Sequence, residues 1–291
     1  MSRILVAALA VLATLAAYAQ DDPAGGESTL DRIARTGEFR IGFVPDAPPL
    51  AYLDAEGQVT GYSLELCRHI ASAIRDELGL DRIDIQYTPL VSMEERLSAV
   101  EQGDVDIECG ATTVTLSRRE RVDFTLMTFI TGSAVLSRKD RPLNTLDDLA
   151  RRRIAVLGGT TTEDVLKRAN EVNDYNMRLV IVDNHDEGME RLNRRRVDGY
   201  ASDRAMLIGQ VFRDANTANE YTMTRSTLSF EPYALMIRRG DTEFRLAADR
   251  ALAGVFRTAR IRRLYQDWFG RYGEPLSPIV AAMYQFQAVG E

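Results

Sequence analysis

Apolar and polar positions along this chain switch repeatedly between two periods, and the switches lay out an α/β order. Residues 39–44 form a short apolar run ahead of a Pro-rich loop (Pro45, Pro48, Pro49) and read as a strand. From Tyr62, the apolar positions Leu64, Ile70, Ile74 and Leu78 fall near helical spacing. Residues 83–88 alternate as a strand, 93–102 are helical, and 105–109 form the next strand. This β-α-β-α-β order predicts an open, largely parallel sheet covered by helices.

The pattern then restarts. Residues 145–149 open a helix, and strand 153–157 runs into Gly158-Gly159-Thr160-Thr161-Thr162-Glu163. A strand at 179–182, a helix at 185–194 and a strand at 197–201 follow. Residues 100–106 and 192–198 echo one another, each a helix end, a tight turn and a Val-Asp strand start. The expected fold is therefore α/β with two similar lobes, each a mostly parallel sheet flanked by helices. Residues 28–130 plus 231–291 form one lobe and 131–230 the other. A short strand at 234–238 precedes amphipathic helices at 242–256 and 260–272, expected to pack back on the first lobe. Two lobes joined by two crossing strands leave a cleft that closes by a hinge.

The N-terminus changes the picture of where the protein works. Arg3 gives a positive start, residues 4–17 are almost wholly apolar, and Ala17-Tyr18-Ala19 is a small-x-small cleavage signal before Gln20. The apolar run is too short for a membrane span. A signal peptide over 1–19, cleaved after Ala19, predicts a soluble periplasmic protein of about 270 residues, enough for real cores. The formal net charge of -7 makes nucleic acid and anionic membranes poor partners. In an oxidising compartment Cys67 and Cys109 can pair, but the sequence does not bring their Cα atoms together, and two buried thiols are the expectation.

The candidate chemistry concentrates in residues 108–124. A strand stops at Gly110, passes Ala111-Thr112-Thr113, and enters a helix with Arg118 in its first turn. Ser117 and Glu120 have capping-box spacing, which leaves Arg118 free. A hydroxyl, backbone N–H groups and a guanidinium at a strand-to-helix junction suit a carboxylate. A plain turn threonine and a solvated arginine are the alternative. Thr160 and Glu163 form a second capping box, placing Thr160 and Thr161 at another hydroxyl-rich helix start, by capping alone or as an anion site. Asp203, after strand 197–201, is either a ligand-ammonium acceptor or a helix cap. His185 also follows a strand, and Arg96 sits on the helix after Ser92, where a surface role is the simpler reading.

These residues resemble a known family. Residues 49–54 (Pro-Leu-Ala-Tyr-Leu-Asp), Gly57, Gly61-Tyr62-Ser63, Gly103-Asp104-Val105-Asp106 and the run 118–125 look like family 3 extracellular solute-binding proteins of ABC importers. Residues 107–113, Gly159-Thr160-Thr161, the His185 segment and 231–236 look like its glutamate/aspartate-binding branch. The resemblance implies that Thr113, Arg118 and Thr160 hold a ligand α-carboxylate and that Asp203 takes the α-ammonium. It further implies that Arg96 and His185 approach a side-chain carboxylate. The chain departs from that branch at Val44, where an arginine is expected, and at Ala111, where a serine is expected.

The function expected is a periplasmic binder of a polar or acidic L-amino acid, glutamate or aspartate first and glutamine or asparagine next. It would act as a monomer, without metal or cofactor, and deliver the ligand to an ABC transporter permease. A cyclohexadienyl dehydratase-like enzyme of the same fold and a soluble amino-acid sensor are the alternatives. The absence of a Ser/His/Asp set or metal-ligand cluster in the sequence argues against the enzyme.

Overall fold

The computed structural model describes residues 27–213 and 218–290. The expected signal peptide, 1–19, lies outside the described residues. The chain builds two five-stranded sheets with matching order. In the first sheet the order is Asp84–Pro89, Glu38–Phe43, Ile107–Glu108, Glu231–Arg238, Val122–Thr131. In the second it is Arg178–Val182, Arg153–Leu157, Gly199–Asp203, Ser133–Arg138, Tyr221–Met223. Each begins with a parallel trio whose first strand in sequence lies in the middle, and each ends in antiparallel strands. Reversal of strand order beside that central strand opens a crevice at the strands' carboxyl ends, where α/β sheets place ligands.

The chain leaves the first sheet at Thr131, passes Gly132, and enters the second at Ser133; it returns between Met223 and Glu231. The strands on both sides of Gly132 mix apolar residues with threonines and serines, without the clean alternation that marks a strand in the sequence. The first lobe's core takes Phe39, Ile41, Leu66 and Ile70 together with Phe244, Leu252, Ile261 and Tyr265, so the C-terminal helices do pack on that lobe. An additional helix there, Pro278–Gln287, is capped by Ser277 with proline in its first turn.

Several local expectations need correction. Cys67 and Cys109 form a disulfide across 42 residues, not two thiols. It ties the helix Tyr62–Glu77 to the strand end from which the candidate site hangs. Residues 145–149 give only a 3-10 turn, Asp147–Leu149, because the Asp148 carboxylate takes the Asn144 and Thr145 N–H groups and closes the turn locally. Strand 105–109 is reduced to Ile107–Glu108, and 197–201 shifts to Gly199–Asp203.

Candidate functional site

One wall of the cleft grows from the end of strand Ile107–Glu108. Val114 N–H donates to Pro232 O at 2.8 Å, and Thr113 bridges Tyr233, so this loop is held as a partial strand. Thr115, not Ser117, caps the one-turn helix Leu116–Arg119: its Oγ1 accepts from Arg118 N–H at 3.2 Å. The helix is too short for the capping box expected from Ser117 and Glu120, and Glu120 already closes it. Arg118 is 8% exposed, and its Nη1 donates to Thr113 O at 2.7 Å. No ion pair to Arg118 occurs among the described residues. Burial, and then the charge of Arg96, push the Arg118 guanidinium down to about 10.

Arg96 is buried rather than on the surface. Its helix, Met93–Glu101, starts with a full Ser92/Glu95 capping box. Arg96 Nε donates to Glu108 Oε1 at 3.0 Å, Nη2 forms an ion pair with the same oxygen at 2.9 Å, and Nη2 also donates to Thr112 Oγ1. Thr112 Oγ1 in turn donates to Glu108 Oε2 at 2.8 Å, closing a buried triad. A Cβ on Gly110 would lie 2.2 Å from Glu108 Oε1, so only glycine lets the chain turn over this pair.

The opposite wall comes from the second sheet. Thr160 caps the helix Thr161–Asn173, accepting from Glu163 N–H at 3.3 Å, while Glu163 accepts from Gly159 N–H at 2.8 Å instead of closing back on Thr160. Thr161 Oγ1 donates to Glu231 Oε2 at 2.7 Å. Asp203 ends its strand and precedes the helix Arg204–Phe212, yet its side chain caps nothing. It accepts from Ser133 Oγ and Thr162 Oγ1, each at 3.2 Å, and from Tyr233 Oη. Burial, and then the charge of Glu231, push its carboxyl up to about 6. His185 opens the helix His185–Asn193 and is buried; its N–H donates to Asp46 Oδ2 at 2.7 Å, and its Nδ1 shares a hydrogen bond with Tyr200 Oη at 2.5 Å. Desolvation pushes the ring down.

All eight residues singled out from the sequence (Arg118, Thr113, Ala111, Thr160, Thr161, Asp203, Arg96 and His185) line one cavity between the lobes. The cavity offers about 50 Å³ to the centres of water-sized spheres. At ~10–15 Å³ by that measure and ~30 Å³ of liquid volume per water, this is about three to five waters, or on the order of 100–150 Å³ of ligand. Sequence reasoning missed several polar participants, Glu231, Tyr233 and Asp46 among them. Glu231 joins the walls: Thr113 Oγ1 from one lobe and Thr161 Oγ1 from the other both donate to its Oε2 at 2.7 Å. Tyr233 holds Asp203, and Asp46 meets the His185 helix. The one available signal for Glu231 was a charge opening an otherwise apolar strand.

Residues 39–271 match the family described as bacterial extracellular solute-binding proteins, family 3. The sequence is 31% identical over 251 residues to an L-glutamate/L-aspartate-binding protein of Pseudomonas aeruginosa, covering 86% of this chain and 82% of that one. It is 28% identical to a glutamate/aspartate import solute-binding protein of Escherichia coli, covering 91% and 86%. A solved ancestral arginine-binding protein bound to glutamine superposes with a TM-score of 0.71 at 26% identity, covering 80% of this chain and 98% of that one. By the match over most of its length and by this fold, the chain belongs to the bacterial extracellular solute-binding proteins of family 3.

Proposed function

We propose that this protein captures an L-α-amino acid between its lobes and, by closing on it, presents it to the permease of an ABC transporter. The observation that carries this reading is Arg118: a guanidinium 8% exposed, lining a closed cleft without an ion-pair partner among the described residues. A buried charge of this kind is costly unless paired, and a ligand carboxylate is the partner whose geometry matches a guanidinium fork. From the other wall the start of helix Thr161–Asn173 adds backbone N–H donors to the same carboxylate, while the Thr113 and Thr161 hydroxyls donate to Glu231 and that of Thr160 to Leu157 O, which fixes the shape of the cradle. Asp203, in the same cavity, supplies the anion for the α-ammonium. Ala111, Arg96 and His185 line the remaining wall, where the ligand side chain lies.

The two bodies that close are residues 28–130 with 231–291, and residues 131–230. Export to the periplasm with cleavage after Ala19, and action as a monomer, complete the proposal; intact mass and light scattering of the secreted protein check both. Binding rather than catalysis is supported by an aspartate matched to an amine contact and by the engagement of His185 Nδ1 with Tyr200. The Asp203 carboxyl, pushed up to about 6, is the feature of the described cleft residues that suits an acid-base role. Incubation with prephenate or arogenate should yield no aromatic product; turnover would replace the binding reading with a dehydratase. The primary test is thermal stabilisation of the ligand-stripped protein across the twenty L-amino acids. A ligand at a hundredfold excess over Kd raises stability by about 2.7 kcal/mol, and no response to any of them would refute an amino-acid ligand.

A further inference from the structure

Resting on the amino-acid reading above, we infer that the ligand's side chain is a neutral amide, and that Asp46 is the residue that excludes a second carboxylate. Asp46 lies just past the first strand, 9% exposed, and lines the cavity beside Val44, Arg96 and His185. Its Oδ2 accepts the His185 N–H at 2.7 Å, which seats the carboxylate on the N-terminus of the helix His185–Asn193. That helix start is the position where the second lobe would otherwise receive a ligand anion, and the protein's own carboxylate fills it. Asp46 Oδ1 has no hydrogen-bond donor among the described residues.

The remaining charges at this end do not restore a carboxylate site. Arg96 is already paired with the fully buried Glu108. His185 is held toward its neutral form by desolvation. Val44 contributes no charge. A ligand carboxylate here would face Asp46 within a poorly solvated cavity, where like charges repel strongly. A cationic side chain would share the same cavity with the Arg96 guanidinium. A neutral amide meets both constraints: its N–H donates to Asp46 Oδ1, and its carbonyl accepts from Arg96 Nη1, the guanidinium nitrogen that engages neither Glu108 nor Thr112. The small cavity favours a side chain of glutamine or asparagine size.

Calorimetric titration of the ligand-stripped protein with L-glutamine, L-asparagine, L-glutamate, L-aspartate and L-arginine tests this, repeated on Asp46→Ser and on the near-isosteric Asp46→Asn. The amide ligand should bind at least about tenfold more tightly than its acid counterpart, and both variants should bring that ratio toward unity by gaining affinity for the acid. The ratio is insensitive to a uniform loss from the broken Asp46–His185 contact, and Asp46→Asn keeps the side chain's shape. An acid bound as tightly as its amide by the wild type, a ratio unchanged in both variants, or tighter binding of arginine would overturn the assignment of Asp46 while leaving the amino-acid reading intact. Failure of all five ligands, and of the wider amino-acid set, would instead refute that reading itself.

Discussion

Asp203 sits at the end of a buried strand with three hydroxyls, from Ser133, Thr162 and Tyr233, donating to its carboxyl. Burial outweighs these donors and pushes the carboxyl up to about 6. A ligand ammonium binds the ionised form, so ligand binding below that pH must first expel a proton. Affinity should therefore level off from about a unit above pH 6 and fall by up to about tenfold per unit below pH 6. Titrations between pH 4.5 and 8 check this, and Asp203→Asn should bind weakly with a flat profile. A flat wild-type profile would remove Asp203 from the ammonium site. The residues legible in the sequence are those, like Arg118 and Asp203, that place a charge at a strand-to-helix junction. Glu231 and Asp46 were not legible as participants, because their partners lie 118 and 139 residues away along the chain.

At the scale of elements, the candidate site hangs from short pieces that cannot hold themselves. Strand Ile107–Glu108 has two residues and helix Leu116–Arg119 has four. The Cys67–Cys109 disulfide anchors this segment to the sixteen-residue helix Tyr62–Glu77. Closing a loop across 42 residues restricts the unfolded chain by about 4 kcal/mol, and replacing both cysteines with serine should lower unfolding free energy by roughly that amount. Urea denaturation with and without reductant measures it, and equal midpoints in both conditions would show the bond is not formed. The helices and parallel strands were visible as changes of period. The crossing through Gly132, from strand Val122–Thr131 of one sheet to strand Ser133–Arg138 of the other, was hidden because threonines and serines interrupt its apolar residues without a clean alternation, and the disulfide because spacing carries no distance.

Over the whole molecule, closure rests on contacts made between lobes. Gln210 Nε2 donates to Asp46 O at 2.6 Å, and Ala205 and Met206 join the first lobe's core. Next to them Gly209 passes so close to the first lobe that an added Cβ would lie 2.0 Å from Pro48 O. Within its own helix Gly209→Ala is favourable, by roughly 1 kcal/mol, so the lobe should keep its stability. The overpacking of about 1–3 kcal/mol falls on the closed form alone, and ligand affinity should drop on the order of 5- to 150-fold. Small-angle scattering with ligand at saturation should show a more open shape than the wild type; unchanged affinity would mean that closure does not bring Gly209 against Pro48. The two-lobed plan was legible from the restarted pattern of strands and helices. The surfaces that meet on closure were not, because they are single residues on unrelated loops and helices.

The most direct test of the whole account is calorimetric titration of the ligand-stripped protein and its Arg118→Ala variant with the amino acid that stabilises the wild type best. Truncating Arg118 leaves the ligand carboxylate buried without its partner, and binding should weaken by about 2–5 kcal/mol. Retention of affinity within about tenfold of the wild type, a difference of ~1.4 kcal/mol, would contradict the assignment of the cleft to an α-carboxylate.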